Sequence, residues 1–275
     1  MSGVTAQRVG DTLGGRIPGV DLSRPLDAEG KASIREALLD HLVICIPNQS
    51  LEADDLIAFG KQFGDLEPHV LSQFHHPDHA NIIILSNRTE DGRPVGVADA
   101  GSYWHSDLSY MRVPALATGL YALEVPESGG DTLFANMYAA YEALPGDIRE
   151  RIEGRTAIHS YSYRRPVLTE EQRRRTPDVE HPVVRTHPDT GRKALYVNPG
   201  YTTRIVGMEE RASDELLEML FSHATSPRFQ YRHKWSAGDV VLWDNRCALH
   251  SATGGYTANQ PRTMYRITIT GSVPY

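Results

Sequence analysis

Apolar residues recur along this chain at helical spacing in some stretches and in short unbroken runs in others. Between 31 and 41, Ile34, Leu38 and Leu39 fall on one side of a helix. The following run, 42–46, is apolar throughout and closed by Pro47, which predicts a short buried strand. A second helix is expected from Ser50, an N-cap residue type, with Glu52, Asp54 and Asp55 suited to its positive end and a stop at Gly64. Strands are expected at 82–85 and 115–123, and Asn136 is placed to cap a short helix ending before Pro145. Residues 209–224 predict an amphipathic helix. The final third holds short strand patterns at 183–186, 194–198, 229–235, 240–243 and 265–270. Many short strands with turn signals and few helices predict a mainly β fold with flanking α helices outside a double-sheet jelly roll. No repeat or low-complexity linker divides the chain, so one domain is expected over 1–275.

One stretch departs from this pattern. Residues 162–181 carry Arg164, Arg165, Glu170, Glu171, Arg173, Arg174 and Arg175 with few apolar neighbours. Composition reads it as a solvated charged loop. A long insertion of this kind in a compact domain is also where lids occur.

The net charge of −7 argues against non-specific nucleic-acid binding, which needs a basic surface. An anionic ligand would therefore be held by local arginines. The two cysteines, Cys45 and Cys247, form no disulfide framework and suit a reducing compartment. Cys45 lies inside an apolar run and reads as a buried small residue; Cys247, three residues before His250, reads as packing or as a ligand. The N-terminus shows no basic-then-apolar leader and no stretch approaches membrane-spanning length, so the expected location is the cytoplasm. The expected partners are a small anionic substrate and further copies of the chain in a homo-oligomer.

Candidate chemistry gathers at Trp104-His105-Ser106-Asp107 and, far downstream, at His250. Two imidazoles and one carboxylate are the facial ligand set of non-heme iron(II) oxygenases, which leaves positions open. On a strand, residues i and i+2 share a face, so His105 and Asp107 are expected to point together. The His-x-Asp triplet alone is weak, since His76-Pro77-Asp78 and His187-Pro188-Asp189 repeat it. Both of those carry a central proline and read as turns, the second joining a hairpin. His76 and His187 are accordingly expected to be turn residues whose replacement is near-neutral for catalysis. Arg262 and Arg266, four apart on a strand-like segment, would set two guanidiniums side by side for an organic anion. Gly129-Gly130-Asp131-Thr132 reads as a tight turn with a hydroxyl at its exit.

In order and spacing these pieces, together with the 181–188 and 201–205 stretches, resemble the taurine/2,4-dichlorophenoxyacetate family of iron(II)- and 2-oxoglutarate-dependent dioxygenases. The resemblance runs from about Gly14 to Ile269. It implies a double-stranded β-helix, a jelly-roll variant, and catalysis with Fe(II), 2-oxoglutarate and O2. It further implies that His105, Asp107 and His250 hold iron, that Thr132 and Arg262 hold 2-oxoglutarate, and that Arg266 grips the substrate anion. His69, Tyr161 and Tyr201 fall at its substrate-contacting positions. Ser72 and Gly101 stand where the taurine enzymes carry a tyrosine and an asparagine, which implies a roomier pocket and a substrate bulkier than taurine. A carboxylate substrate such as a phenoxyalkanoate or amino-acid derivative fits the same core. On the residues alone, a zinc hydrolase and a non-catalytic jelly-roll binding protein stay open.

Overall fold

A computed structural model of the chain describes residues 4–98, 101–164 and 167–275. Its centre is a seven-stranded sheet in the order Gln7–Arg8, Gly15–Arg16, Val43–Ile46, Val240–Asp244, Ala115–Glu124, Thr263–Thr270 and Ile83–Ser86. Opposite it stands a three-stranded sheet in the order Gln230–His233, Thr132–Asn136, Ala248–Ala252. A second three-stranded sheet, Val179–Pro182, Thr156–His159, Thr202–Ile205, and the hairpin Val184–Thr186/Lys193–Leu195 extend that side. The result is a jelly roll.

The period of two along the central strands builds both cores. Val43, Cys45, Val241 and Trp243 point between the sheets, where they meet Phe134, Leu120, Leu249 and Met264. Ile44, Ile46, Val240 and Leu242 point the other way and meet Ile34 and Leu38 of one helix and Leu56 and Phe59 of another. A strand buried on both faces has no polar alternation to show, which is why 42–46 reads as an unbroken apolar run. The two helices, Ala28–His41 and Ala53–Lys61, thus cover the outside of the large sheet. Asp27 caps the first by accepting from the Gly30 N–H. The second begins later than Ser50: Glu52 is its N-cap, in a reciprocal capping box with Asp55. Asn136 caps Met137–Glu142 as the pattern predicts, and Glu209, expected inside its helix, is instead the cap of Glu210–Ala224.

Other expectations need correction. The 162–181 stretch is no continuous loop. Thr169 and Gln172 form a capping box that starts a short helix, Glu170–Arg175. Beyond it, Val179–Pro182 pairs with Thr156–His159 and buries His181, whose Nε2 donates to the Met111 carbonyl at 2.9 Å. Arg165 lies outside the described residues. The strand expected at 229–235 is confined to Gln230–His233, and that at 194–198 to Lys193–Leu195. Among the described residues no helix is long and apolar enough to cross a membrane.

The largest correction concerns His187. It does sit at the turn of the predicted hairpin, but that turn folds inward. His187 is fully buried and its Nε2 lies 3.0 Å from Asp244 Oδ2, next to the Arg246 guanidinium that pairs with the same carboxylate. Removing it leaves a buried charge short of a donor. We predict that His187→Ala destabilises the fold by about 2–3 kcal/mol in denaturant titration. His76→Ala, on a half-buried turn, should cost less than about 1 kcal/mol.

Candidate active site

His105 and His250 face one another across an isolated antiparallel bridge. They exchange both backbone hydrogen bonds, His105 N–H to His250 O at 3.0 Å and His250 N–H to His105 O at 2.9 Å. Directly paired residues project to one face, so the two rings stand with centroids 4.1 Å apart. Asp107 joins them by a different route from strand alternation. The chain leaves the bridge after His105 and turns, with Leu108 in a left-handed conformation (φ 54°). Asn245 fixes that turn by accepting the Asp107 N–H at 3.0 Å. One ligand atom from each of His105, Asp107 and His250 then lies within 4.8 Å of the other two, and all three residues are buried.

Hydrogen bonds set the state of each group. His105 Nδ1 lies 2.8 Å from the Tyr103 carbonyl, which can only accept, so Nδ1 donates there and Nε2 faces Asp107. Thr118 donates to Asp107 Oδ2 at 2.6 Å and itself accepts from Asn245 Nδ2 at 2.9 Å. Arg266 donates to Asp107 Oδ1 at 2.9 Å. Burial would raise the Asp107 carboxyl, but Arg266, His250 and His105 outweigh it and hold it well below the usual carboxylate range. Burial, then the adjoining His105 ring, pushes His250 well below the usual imidazole range. The site therefore presents a carboxylate and a His250 imidazole whose charged form is disfavoured, beside the His105 ring, a donor set that suits a divalent metal ion.

One cavity between the sheets collects these residues with the other predicted ones. His69, Thr132, Tyr161, Tyr201, Arg262 and Arg266 all line it, as does Gly101. Ser72 does not; it is exposed on a 3₁₀ turn. Arg262 is buried, with Nε unpartnered and its closest acceptor the Gly130 carbonyl at 3.5 Å. Gly130 (φ 70°) lets it lie there, since a Cβ at 130 would sit 3.3 Å from Arg262 Nε. No carboxylate pairs with Arg262 among the described residues, so it is a buried cation that lacks an anion. Thr132 Oγ1 accepts from Trp235 Nε1 at 3.0 Å, which leaves its own proton to donate into the cavity.

Sequence reasoning missed several contributors. Tyr103 and Tyr110 join Tyr161 and Tyr201 in an aromatic wall: Tyr110 packs on Tyr161 at 4.4 Å and on Tyr201 at 4.7 Å, and the Tyr103 and Tyr201 hydroxyls are 3.0 Å apart. Thr118, Asn245 and Trp235 were also unmarked. For Thr118 the signal was a polar residue set inside an otherwise apolar strand pattern.

The family model for taurine catabolism dioxygenases, the TauD, TfdA family, matches residues 5–268. The chain belongs to this family. Its members use Fe(II), 2-oxoglutarate and O2, and the chain is one of these dioxygenases. Among similar proteins is the alpha-ketoglutarate-dependent 2,4-dichlorophenoxyacetate dioxygenase of Burkholderia sp. (strain RASC), 34% identical over 94% of this chain and 91% of that protein. Pentalenolactone F synthase of Streptomyces avermitilis is 33% identical over 88% of this chain and 86% of its own length. Among solved structures, a taurine dioxygenase from Burkholderia xenovorans superposes with a TM-score of 0.84 at 34% identity, covering 98% of this chain and 90% of that one. The structure of AAD-2 with Mn(II) and N-oxalylglycine gives a TM-score of 0.85 at 31% identity, over 98% of both chains.

Gly101 offers a test of how tightly the TauD/TfdA site of this chain is built. Its φ is 77°, and a Cβ there would fall 2.6 Å from His105 Cε1. Gly207 has a similar φ, 74°, with nothing within 4 Å. Alanine at either position meets the same left-handed penalty of about 1 kcal/mol, but only at 101 does it displace an imidazole. We predict that Gly101→Ala weakens divalent-metal retention by about tenfold or more, measured by dialysis and metal analysis, while Gly207→Ala leaves it unchanged.

Proposed function

We propose that this dioxygenase hydroxylates a small organic anion larger than taurine, with His105, Asp107 and His250 holding iron, Thr132 and Arg262 holding 2-oxoglutarate, and Arg266 holding the substrate anion. Iron with 2-oxoglutarate and O2 supplies the oxidation of a substrate C–H bond, releasing succinate and carbon dioxide. The observation that carries the reading is convergence: a metal-competent triad, an unpaired buried guanidinium and an outward-donating hydroxyl share one cavity. A zinc hydrolase or a binding protein has no use for that combination.

The chain's own part is positional. Tyr103 O fixes the His105 tautomer, and Thr118 and Asn245 orient Asp107, so the ligand atoms need no rearrangement. Arg262 offers only donors and Thr132 has a proton to give, which suits a carboxylate. Arg266 has one nitrogen on Asp107 and an unpartnered Nε left for the substrate's anionic head. Leu71, Ile83, Leu85 and Leu120 make an apolar wall facing the tyrosines, a lining suited to an apolar or aromatic body. Gly101, where a side chain would strike His105, keeps that space open. Sulfonate and carboxylate heads both satisfy Arg266, and the named activity of the 2,4-dichlorophenoxyacetate relatives supports the carboxylate. Arg164 stacks on Tyr103 at 4.6 Å and donates to the Pro199 carbonyl at 3.0 Å, which supports the charged stretch 162–181 as a cover that keeps water out. Two buried free cysteines fit a reducing, cytoplasmic setting.

His105→Ala, Asp107→Ala and His250→Ala are each expected to lose iron and turnover with the fold kept, as read by metal analysis and circular dichroism; full activity in any one would sink the assignment. Succinate release across a panel of aryl sulfonates, phenoxyalkanoates and taurine should rank a larger anion above taurine. On the best substrate, Arg266→Gln should cut substrate-dependent turnover while 2-oxoglutarate consumption without substrate persists. Arg262→Gln should instead raise the 2-oxoglutarate requirement. A charge-assisted hydrogen bond of about 1.5–3 kcal/mol sets both losses at roughly ten- to more than a hundredfold. The same defect in both variants would refute the division of labour.

A further inference from the structure

Outside the cavity, a second set of ligand-type side chains is gathered between the sheets. Cys45 comes from Val43–Ile46 of the large sheet, His233 from Gln230–His233 of the small one, and Asp239 from the turn before Val240–Asp244. All three are buried, and one ligand atom from each lies within 4.8 Å of the other two. His233 Nε2 is 3.3 Å from Asp239 Oδ2, yet it makes no hydrogen bond. The other ring nitrogen, Nδ1, is 3.2 Å from the Tyr231 hydroxyl, and Asp239 also accepts the Ser236 N–H at 2.9 Å. A buried imidazole nitrogen aimed between a thiol and a carboxylate, with its ring held from the far side, is how a metal-ligating histidine is presented.

A third such group, His187, Asp244 and Cys247, decides the comparison. There Arg246 donates to both Asp244 oxygens, at 2.9 and 2.7 Å, so a cation is already in place. No arginine or lysine forms an ion pair with Asp239 among the described residues.

We propose that Cys45, His233 and Asp239 form a second metal site, which takes zinc(II). Thiolate with imidazole and carboxylate is a zinc ligand set, and the soft sulfur selects against magnesium, calcium and manganese. On binding, the Cys45 S–H bond breaks, its proton leaves to solvent and a zinc–sulfur bond forms with no change of oxidation state. The ion ties the Gln230–His233 strand to the large sheet. Two residues past His233 stands Trp235, whose ring packs 4.7 Å from the His233 ring and whose N–H holds Thr132. The second metal therefore braces the wall of the cavity without entering it.

Zinc content tests this independently of the catalytic reading. In a His105→Ala/Asp107→Ala protein, loaded with zinc chloride under anaerobic conditions and dialysed, one equivalent of zinc should remain. Adding Cys45→Ser, or His233→Gln if that protein fails to fold, should remove it. In the otherwise unaltered chain, cobalt(II) should give a near-ultraviolet thiolate-to-metal band that Cys45→Ser abolishes, while the weak visible band of Fe(II) with 2-oxoglutarate survives in that variant. Retention of no zinc in the first protein, equal retention with and without Cys45, or a cobalt band that persists in Cys45→Ser would each overturn the proposal.

Discussion

The site depends first on two backbone hydrogen bonds, those that His105 and His250 exchange. They join a segment near the middle of the chain to a strand near its end, and they set both imidazoles on one face. Side-chain chemistry alone could not do this, because neither ring bonds to the other. The bridge is isolated, so its register is held by what flanks it: Ala248–Ala252 is paired residue by residue with Thr132–Asn136. A one-residue slip would turn His250 to the opposite face. Thr132 lies on that same partner strand, so the register that orients the histidine also orients the Thr132 hydroxyl.

Asp107 shows how the molecule meets the cost of a buried charge. Desolvating a carboxylate is expensive unless its lone pairs are occupied, and here Thr118 and Arg266 occupy them from strands on the large sheet. Asn245 stands between, bonded to the Asp107 N–H, to Thr118 and, through its Oδ1 at 3.2 Å, to the Trp243 indole. Networks of this kind rigidify when every member is satisfied. Arg262 is the opposite case, a buried cation that the protein leaves without an anion, and its deficit is what makes it a binding group.

Much of this was legible in the sequence because it rests on local signals. The unbroken apolar run at 42–46, the Asn136 cap and the amphipathic 209–224 stretch each act within a few residues. The His105, Asp107, His250, Arg262 and Arg266 set was legible because few chemistries need those types together. What escaped came from tertiary folding. His187 sits in a turn by its local sequence, and only the packing of that turn against Asp244 makes it a core residue. The face shared by His105 and Asp107 was expected from strand alternation, and the structure produces it by a turn after a single bridge. Tyr103, Tyr110 and Trp235 gained their roles from elements far apart in the chain, which no spacing rule connects.

Arg262 and Thr132, which line the same cavity, restrict what can bind there. Trp235 occupies one lone pair of the Thr132 hydroxyl, and a guanidinium has none to give, so these two groups present mainly donors to a visitor. A ligand end rich in acceptors suits them best. An acid whose far end is capped as an amide would turn its own N–H groups toward donors, leaving both sides unsatisfied and out of water. Discrimination against such near-copies, which differ from the acid by one nitrogen, is thus sharpened by an indole that does not line the cavity.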